Sequence, residues 1–203
     1  MIAAIFDLDG TLISGSVLQG LIRHHRFRRT KRAPLYVYIG THMLMWPAAR
    51  LGLISEARVR ELWTMHMGWP LRGWTPEEAA PAFDWIAQRY IAPRVDQGIL
   101  ARLREHQRAG HRVILVSGTP SPMLDAIGKQ LCIAETVGTP LVVRYGKYSG
   151  ASEAPACQGE HKVTRLLMRL GPASDVNWAA SHAYADSHTD IPMLSYVGRP
   201  VAV

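Results

Sequence analysis

Short apolar runs alternate with amphipathic helical patterns along most of the chain. Ile2–Phe6 and Val113–Val116 have the length and composition of strands that are buried on both faces. Shorter runs predict further strands at 133–137, 181–185 and 199–203, and a β-hairpin at 141–148. Helical spacing predicts helices at 99–109, 121–131, 160–170 and 191–195. Because strands alternate with helices, we predict an α/β fold with a parallel sheet flanked by helices.

Residues 16–92 carry helical patterns only, between the first strand and the next helix of the α/β pattern. Ser55 is a predicted N-cap, and Thr75–Glu78 has the cap, proline and glutamate of a capping box. Pro47 is predicted to break the apolar stretch Leu35–Ile54 into two packed helices. Gly68–Gly73 is predicted to form a loop.

This pattern predicts two domains. Residues 1–15 and 93–203 would form the α/β core, and residues 16–92 would form an inserted helical cap. An insert that follows the first strand directly lies at the ligand-binding end of a parallel sheet. We therefore expect the cap to cover the functional site.

Acidic residues follow the first strand and the strand at 181–185. Asp7 and Asp9 come directly after Phe6, and Gly10 allows a sharp turn behind them. Buried carboxylates need a cation or other partners, so a site at the open end of the strand is expected. An Asx-rich turn after an edge strand is the alternative interpretation of this short stretch.

The later polar residues recur in a fixed order. Ser117-Gly118 follows the second strand, Lys162 opens a helix, and Asp186 and Asp190 follow the strand at 181–185. In this order they resemble the haloacid dehalogenase (HAD) superfamily of phosphohydrolases. The helical insert and the Asp-Ser-x-x-Asp pattern are similar to the phosphoserine-phosphatase-like branch, subfamily IB. The resemblance implies a HAD-like, Rossmannoid sheet with an inserted α-helical cap.

The resemblance also implies a reaction and a cofactor. Asp7 would be the nucleophile of a phosphatase that forms an aspartyl-phosphate, and Asp9 would be the general acid and then the base. Asp7, Asp186 and the main-chain carbonyl of Asp9 would bind Mg²⁺, and Asp190 would act through water or orient the Asp186 loop. A cation is needed because a phosphate monoester is a dianion that repels a carboxylate. Asp190 as a simple helix cap is the alternative.

Phosphate binding is assigned by the same resemblance. Ser117 and the backbone N–H of Gly118 would donate to the phosphoryl oxygens, and Lys162 would neutralise charge and hold Asp7. A turn hydroxyl and a solvated lysine are the alternative interpretations. Lys129 and Lys147 are weaker candidates for a phosphate ligand. The histidines lack the paired spacing with cysteine that is typical of zinc sites.

Two positions depart from the family pattern. Phosphoserine phosphatases usually have a glutamate nine residues after the nucleophile, where this chain has Ser16. We therefore expect phosphoserine to be a poor substrate. Ala185 replaces the usual glycine before the fourth-motif aspartate, which is expected to tighten the metal loop.

The composition changes this picture only in part. The net charge of +7 favours an anionic partner: a small phosphorylated metabolite, nucleic acid or an anionic membrane. The basic run Arg23–Arg32 is either a solvated helix end or a rim that attracts anions. Interruptions in Leu35–Ile54 argue against a membrane span, although contact with a membrane surface stays open. Two cysteines and no charged leader predict a cytoplasmic protein.

Three functions remain at this point. A small-molecule phosphatase is favoured; a phosphotransferase with the same aspartyl-phosphate is the second. The third is a basic module that binds nucleic acid or anionic membranes without catalysis, for which steep salt dependence would be diagnostic. The pattern does not decide the substrate or the oligomeric state.

Overall fold

The computed structural model describes residues 1–28, 32–171 and 174–203. Its strands are β1 (Ala3–Phe6), β2 (Arg112–Pro120), β3 (Glu135–Thr139), β4 (Leu141–Arg144), β5 (Lys147–Ser152), β6 (His182–Ala185) and β7 (Arg199–Ala202). Its α-helices are α1 (Val17–Arg28), α2 (Arg32–Arg50), α3 (Glu56–Met65), α4 (Pro76–Trp85), α5 (Gln97–Arg108), α6 (Ser121–Gln130), α7 (Glu160–Leu170) and α8 (Ile191–Ser195). Shorter 3₁₀ segments lie at His66–Leu71, Ala92–Arg94, Trp178–Ala180 and His188–Asp190, and Ile86–Ile91 is a π-helical extension of α4.

A five-stranded parallel sheet organises the molecule, in the order β3-β2-β1-β6-β7. β1 is central, with Phe6 paired to Leu115 on one side and to Tyr184 on the other. The predicted α/β class with a parallel sheet is confirmed. The carboxyl ends of β1, β2 and β6 lie side by side, which is where such sheets bind ligands.

Helices cover both faces of the sheet because the strand side chains alternate. Phe6 and Leu115 lie in a buried cluster with residues of α4, α5 and α6. Ile5 and Ile114 point the other way, into a cluster with residues of α7 and α8. The two clusters make the sheet the middle layer of the core.

The inserted helices share the first of these clusters. α4 and the π-helical segment after it pack against α6. The segment also packs against α1, where Gly20 allows close approach: a Cβ there would lie 2.8 Å from the ring of Tyr90. The hairpin β4–β5 packs against His66–Leu71 of the insert. The boundaries of a separate cap domain at 16 and 92 stay a prediction.

Local signals in the insert are largely confirmed. Ser55 caps α3 by accepting from the N–H of Arg58 at 3.2 Å. At Thr75 the capping box is complete, because Glu78 donates its N–H to the Thr75 hydroxyl and its carboxylate accepts from the Thr75 N–H. The helix that begins there continues through the π-helical segment to Ile91.

Two predictions in the insert are wrong. α2 runs unbroken from Arg32 to Arg50 through Pro47, rather than as two helices. Proline removes a hydrogen bond to the carbonyl four residues earlier, here that of Met43, whose side chain is 62% exposed. Met43 lies on the exposed side of α2, where water can satisfy this carbonyl. The predicted loop 68–73 is also largely helical, because His66–Leu71 forms a 3₁₀ segment.

Among the described residues, no helix combines the length and the apolar content needed to cross a membrane. Of the basic run Arg23–Arg32, residues 29–31 lie outside the described residues. Arg23, Arg26 and Arg28 lie on α1.

Candidate active site

The first strand delivers Asp7 into the centre of the sheet edge. The N–H of Asp7 still donates to the carbonyl of Tyr184 on β6 at 3.0 Å, and the Asp7 side chain is buried. The chain then turns at Gly10, which has a φ of +83°. A Cβ at Gly10 would overlap the carboxylate of Asp186. Glycine is therefore required at position 10 for two reasons: the turn itself, and the close approach of the loop that carries Asp186.

Lys162 links two of the predicted carboxylates. Its ammonium Nζ lies 2.7 Å from Oδ1 of Asp7 and 2.6 Å from Oδ1 of Asp190, and all three side chains are buried. Lys162 is in the first turn of α7, where the helix dipole disfavours a cation. The two carboxylates offset that unfavourable position.

Asp7, Asp186 and Asp190 form an acidic cluster. One carboxylate oxygen from each lies within 4.8 Å of the others. The Thr11 hydroxyl is 3.4 Å from Oδ2 of Asp7 and 3.3 Å from Oδ1 of Asp186, so it can donate to either. Three convergent carboxylates offer the hard oxygen ligands that Mg²⁺ prefers, and the donor set therefore fits this ion.

Asp9 follows Asp7 closely along the chain, but its side chain is directed towards the start of α1. Its Oδ1 accepts the backbone N–H of Val17, the first residue of α1, at 3.0 Å. That bond orients the carboxylate at the wall of the site cavity. Ser16 stands where phosphoserine phosphatases usually have glutamate, and it is not among the described residues that line the cavity.

Ser117 and Gly118 lie where β2 leaves its partner strand. The pairing of β2 with β3 shifts register between Val116 and Pro120, so β2 is longer than the predicted strand and bulges at this point. The Ser117 hydroxyl donates to the Thr119 hydroxyl at 3.0 Å and accepts the Thr119 N–H at 3.1 Å. The bulge exposes both Ser117 and Gly118 to the cavity.

Burial and neighbouring charges set the protonation of the site. Burial raises the pKa of Asp7 to about 6, against the opposing effect of the Lys162 ammonium. Burial and the charge of Asp7 raise the pKa of Asp9 to about 7. Burial lowers the pKa of Lys162, but Asp7 and Asp190 outweigh it, and the net pKa is raised. The lysine therefore stays charged inside the site.

These residues surround a cavity of about 170 Å³. Its lining comprises Asp7, Asp9, Thr64, Met67, Ser117, Gly118, Thr119, Cys157, Gln158, Lys162, Ser187, Thr189 and Asp190. Thr64 and Met67 come from the insert, and the Thr64 hydroxyl donates to Oε1 of Gln158 at 2.9 Å. Two residues of the segment 16–92 therefore line the cavity, and its role as a cap stays a prediction.

The sequence analysis did not identify several residues of the site. Thr11 directly follows Gly10 in the stretch Asp-Leu-Asp-Gly-Thr, so its position could have been anticipated. Thr64 and Gln158 are 94 positions apart and carry no local signal that would pair them. Burial raises the pKa of the Cys157 thiol to about 12, so this cysteine lines the cavity as an inert group.

Other predicted cations lie away from the cavity. Lys129 is at the end of α6 and Lys147 is in the hairpin, both exposed. Arg23 and Arg26 line a different groove of about 660 Å³, together with Arg94. The described arginines of the basic run are therefore not part of the acidic site.

Comparison with known proteins identifies the family. The model of haloacid dehalogenase-like hydrolases matches residues 4–195. Phosphoserine phosphatase SerB1 of Mycobacterium tuberculosis is 28% identical over 99% of this chain and 64% of its own length. Histidinol-phosphatase of Neisseria meningitidis is 28% identical over 66% of the chain and 62% of its own length. The chain thus spans less than two thirds of these relatives.

Solved structures give the same result for the fold. A Bordetella pertussis protein of unknown function superposes with a TM-score of 0.79 and 26% identity, covering 98% of this chain and 88% of that protein. A phosphoserine phosphatase, solved as an analogue of its phospho-aspartyl intermediate, gives a TM-score of 0.63 at 18% identity, covering 99% of this chain and 85% of that one. With the family model matched from β1 to α8, the chain belongs to the haloacid dehalogenase-like hydrolases and has a phosphoserine-phosphatase-like fold.

Proposed function

We propose that the protein is a Mg²⁺-dependent phosphatase that hydrolyses a small phosphate monoester through an aspartyl-phosphate on Asp7. The observation that carries the proposal is the buried Asp7 carboxylate. It lies between the Lys162 ammonium and an acidic cluster, and faces a cavity that Ser117 also lines. Asp7, Asp186 and Asp190, with the main-chain carbonyl of Asp9, would hold Mg²⁺, which supplies positive charge to the phosphoryl oxygens.

The chain's own residues then divide the reaction into two steps. A carboxylate oxygen of Asp7 attacks phosphorus, and the bond between phosphorus and the ester oxygen breaks. Asp9 gives its proton to the departing alcohol. It then takes a proton from water, whose oxygen attacks phosphorus and releases inorganic phosphate together with free Asp7. Ser117, the N–H of Gly118 and Lys162 hold the phosphoryl oxygens throughout.

For the leaving alcohol we propose only a chemical class. The names of the relatives refer to phosphoserine and histidinol phosphate. Thr64 and Met67 of the insert line this cavity, and neither carries the negative charge needed for an ion pair with the ammonium of phosphoserine. This supports the expectation that phosphoserine is a poor substrate and that a small phosphorylated metabolite of another kind is preferred.

A reducing, cytoplasmic environment is the location that we infer. Both cysteines are free thiols, Cys132 exposed and Cys157 buried. An exposed thiol persists where the cell keeps thiols reduced.

A screen of phosphorylated metabolites for released phosphate, with Mg²⁺ present, tests the proposed function. We expect release with at least one metabolite, loss of release after exhaustive chelation, and recovery when Mg²⁺ is restored. Added alcohols should leave the yield of inorganic phosphate unchanged, whereas a phosphotransferase would convert them to new phosphate esters. Full activity after chelation would refute the proposed mechanism.

Ser117→Ala is expected to lower turnover by roughly 10²–10³-fold, as removal of one donor to a developing anion does in other enzymes. Thermal stability should change little, because in the described part of the chain the Ser117 hydroxyl forms local hydrogen bonds with Thr119. Ser195→Ala, at an exposed position on α8, is the matched control and should keep normal turnover. A near-normal rate for Ser117→Ala would assign phosphate binding to other groups.

A further inference from the structure

α2 is fixed to the rest of the insert by one of its faces. Leu35, Tyr38 and His42 on this face are buried. The Tyr38 hydroxyl donates to the carbonyl of Trp63 at 2.9 Å, and Nε2 of His42 lies 3.0 Å from Nδ1 of His66. These contacts hold α2 against α3 and the following 3₁₀ segment. Its other face therefore has a defined orientation.

The opposite face of α2 and the turn after it are exposed and apolar. The large side chains on this surface are Tyr36, Val37, Met43, Leu44, Trp46, Leu51 and Leu53. Leu44, Leu51 and Leu53 are each at least 75% exposed. Between positions 33 and 53, Arg50 is the one charged residue. A continuous apolar surface of this kind marks an interaction site rather than ordinary solvent-exposed residues.

The net charge of the chain comes from the part of the sequence that contains α2. Residues 10–55 hold seven of the 23 lysines and arginines and none of the 16 acidic residues. The rest of the chain therefore has sixteen of each, and the whole net charge of +7 belongs to this segment. Basic residues come before α2, at 28–32, and at its end, at Arg50, and α1 with its arginines contacts α2.

The charge decides which partner fits. A second copy of the chain would bring two arginine-rich segments together, which like-charge repulsion opposes. An anionic bilayer offers lipid for the apolar side chains and phosphates for the arginines. Tyr36 and Trp46 are residues with an apolar body and a polar tip, which suit the membrane interface. We propose that the exposed face of α2 docks the protein on an anionic phospholipid surface, with the helix lying in the plane of the interface.

Vesicle co-sedimentation of the full chain tests this proposal. We expect binding to phosphatidylcholine vesicles that contain phosphatidylglycerol, much weaker binding to pure phosphatidylcholine, and weaker binding as salt rises. Leu44→Gln combined with Leu51→Gln should weaken binding at least about tenfold, because two apolar side chains no longer enter the interface. Arg50→Gln should weaken it about fivefold, the usual contribution of one basic residue near an anionic membrane.

Matched variants separate docking from general effects on the protein. Val143→Gln combined with Met168→Gln removes two exposed apolar side chains elsewhere, and Arg144→Gln removes an exposed arginine of the hairpin. These should bind like the wild type, and all variants should unfold at wild-type temperatures because the changed side chains are exposed. Equal vesicle binding by the wild type and the Leu44/Leu51 variant would overturn the proposal. So would a dimer in ultracentrifugation that this variant abolishes, with no vesicle binding.

Discussion

Asp7→Asn is expected to abolish phosphate release, with turnover lower by about 10⁴-fold or more, as for the loss of other nucleophiles. The amide keeps the shape of the side chain but cannot form the acyl phosphate. Quenching the wild type in acid during turnover of a labelled substrate should leave the label on Asp7, which mass spectrometry of peptides can locate. The Asp7→Asn protein should carry no label.

Two controls define this result. Asp9→Asn keeps the nucleophile and should still bind substrate, but it cannot transfer the proton, so hydrolysis should be slow. Asp84→Asn changes an exposed carboxylate of α4 and should behave like the wild type. Label on another aspartate of the Asp7→Asn protein would contradict the assignment of the nucleophile.

Lys162→Met is expected to affect both turnover and folding. Without metal, removal of one partner from a buried ion pair costs about 3–5 kcal/mol of unfolding free energy, because the remaining charges lose their compensation. The Lys162 ammonium forms two such buried ion pairs, with Asp7 at 2.7 Å and with Asp190 at 2.6 Å. Turnover should fall by about 10²-fold or more, because the ammonium that neutralises charge on the phosphoryl group is lost.

Denaturant unfolding with and without Mg²⁺ distinguishes the two effects. Saturating Mg²⁺ should stabilise Lys162→Met more than it stabilises the wild type, because it supplies a cation to the same carboxylates. Adding Asp190→Asn to the Lys162→Met protein should recover part of the stability but no activity. Lys129→Met, at an exposed position, is the control. Unchanged metal-free stability of Lys162→Met would show that the ion pair contributes nothing.

The sheet and its motifs were predictable because their signals are local. Ile2–Phe6 has the composition of a buried strand. Asp7, Ser117 and Asp186 lie at the carboxyl ends of three strands that are neighbours in the sheet, and Lys162 is in the helix that precedes the last of these strands. Lys162 contacts two of the carboxylates and compensates part of their charge.

The insert was harder to predict, because its contacts are not local. Pro47 normally ends a helix, but nothing in the sequence shows that the carbonyl it deprives of a donor lies on an exposed face. Thr64 enters the cavity because α3 packs against its neighbours in three dimensions, and its partner Gln158 comes from another part of the chain. The basic run left open whether it is a solvated helix end or an anion-attracting rim, and its described arginines Arg23 and Arg26 line a groove outside the cavity.

The small volume of the site cavity has an expected consequence for the kinetics of large substrates. At about 170 Å³ it is smaller than the roughly 300–1,000 Å³ of ordinary ligand pockets. Thr64 seals one wall so closely that a Cβ on Gly118 would lie 2.9 Å from its methyl group. If a bulky alcohol leaves past the hydrogen bond between Thr64 and Gln158, we expect the two side chains to separate first, and this separation does not depend on the acidity of the alcohol. For such substrates, a better leaving group no longer gives faster turnover.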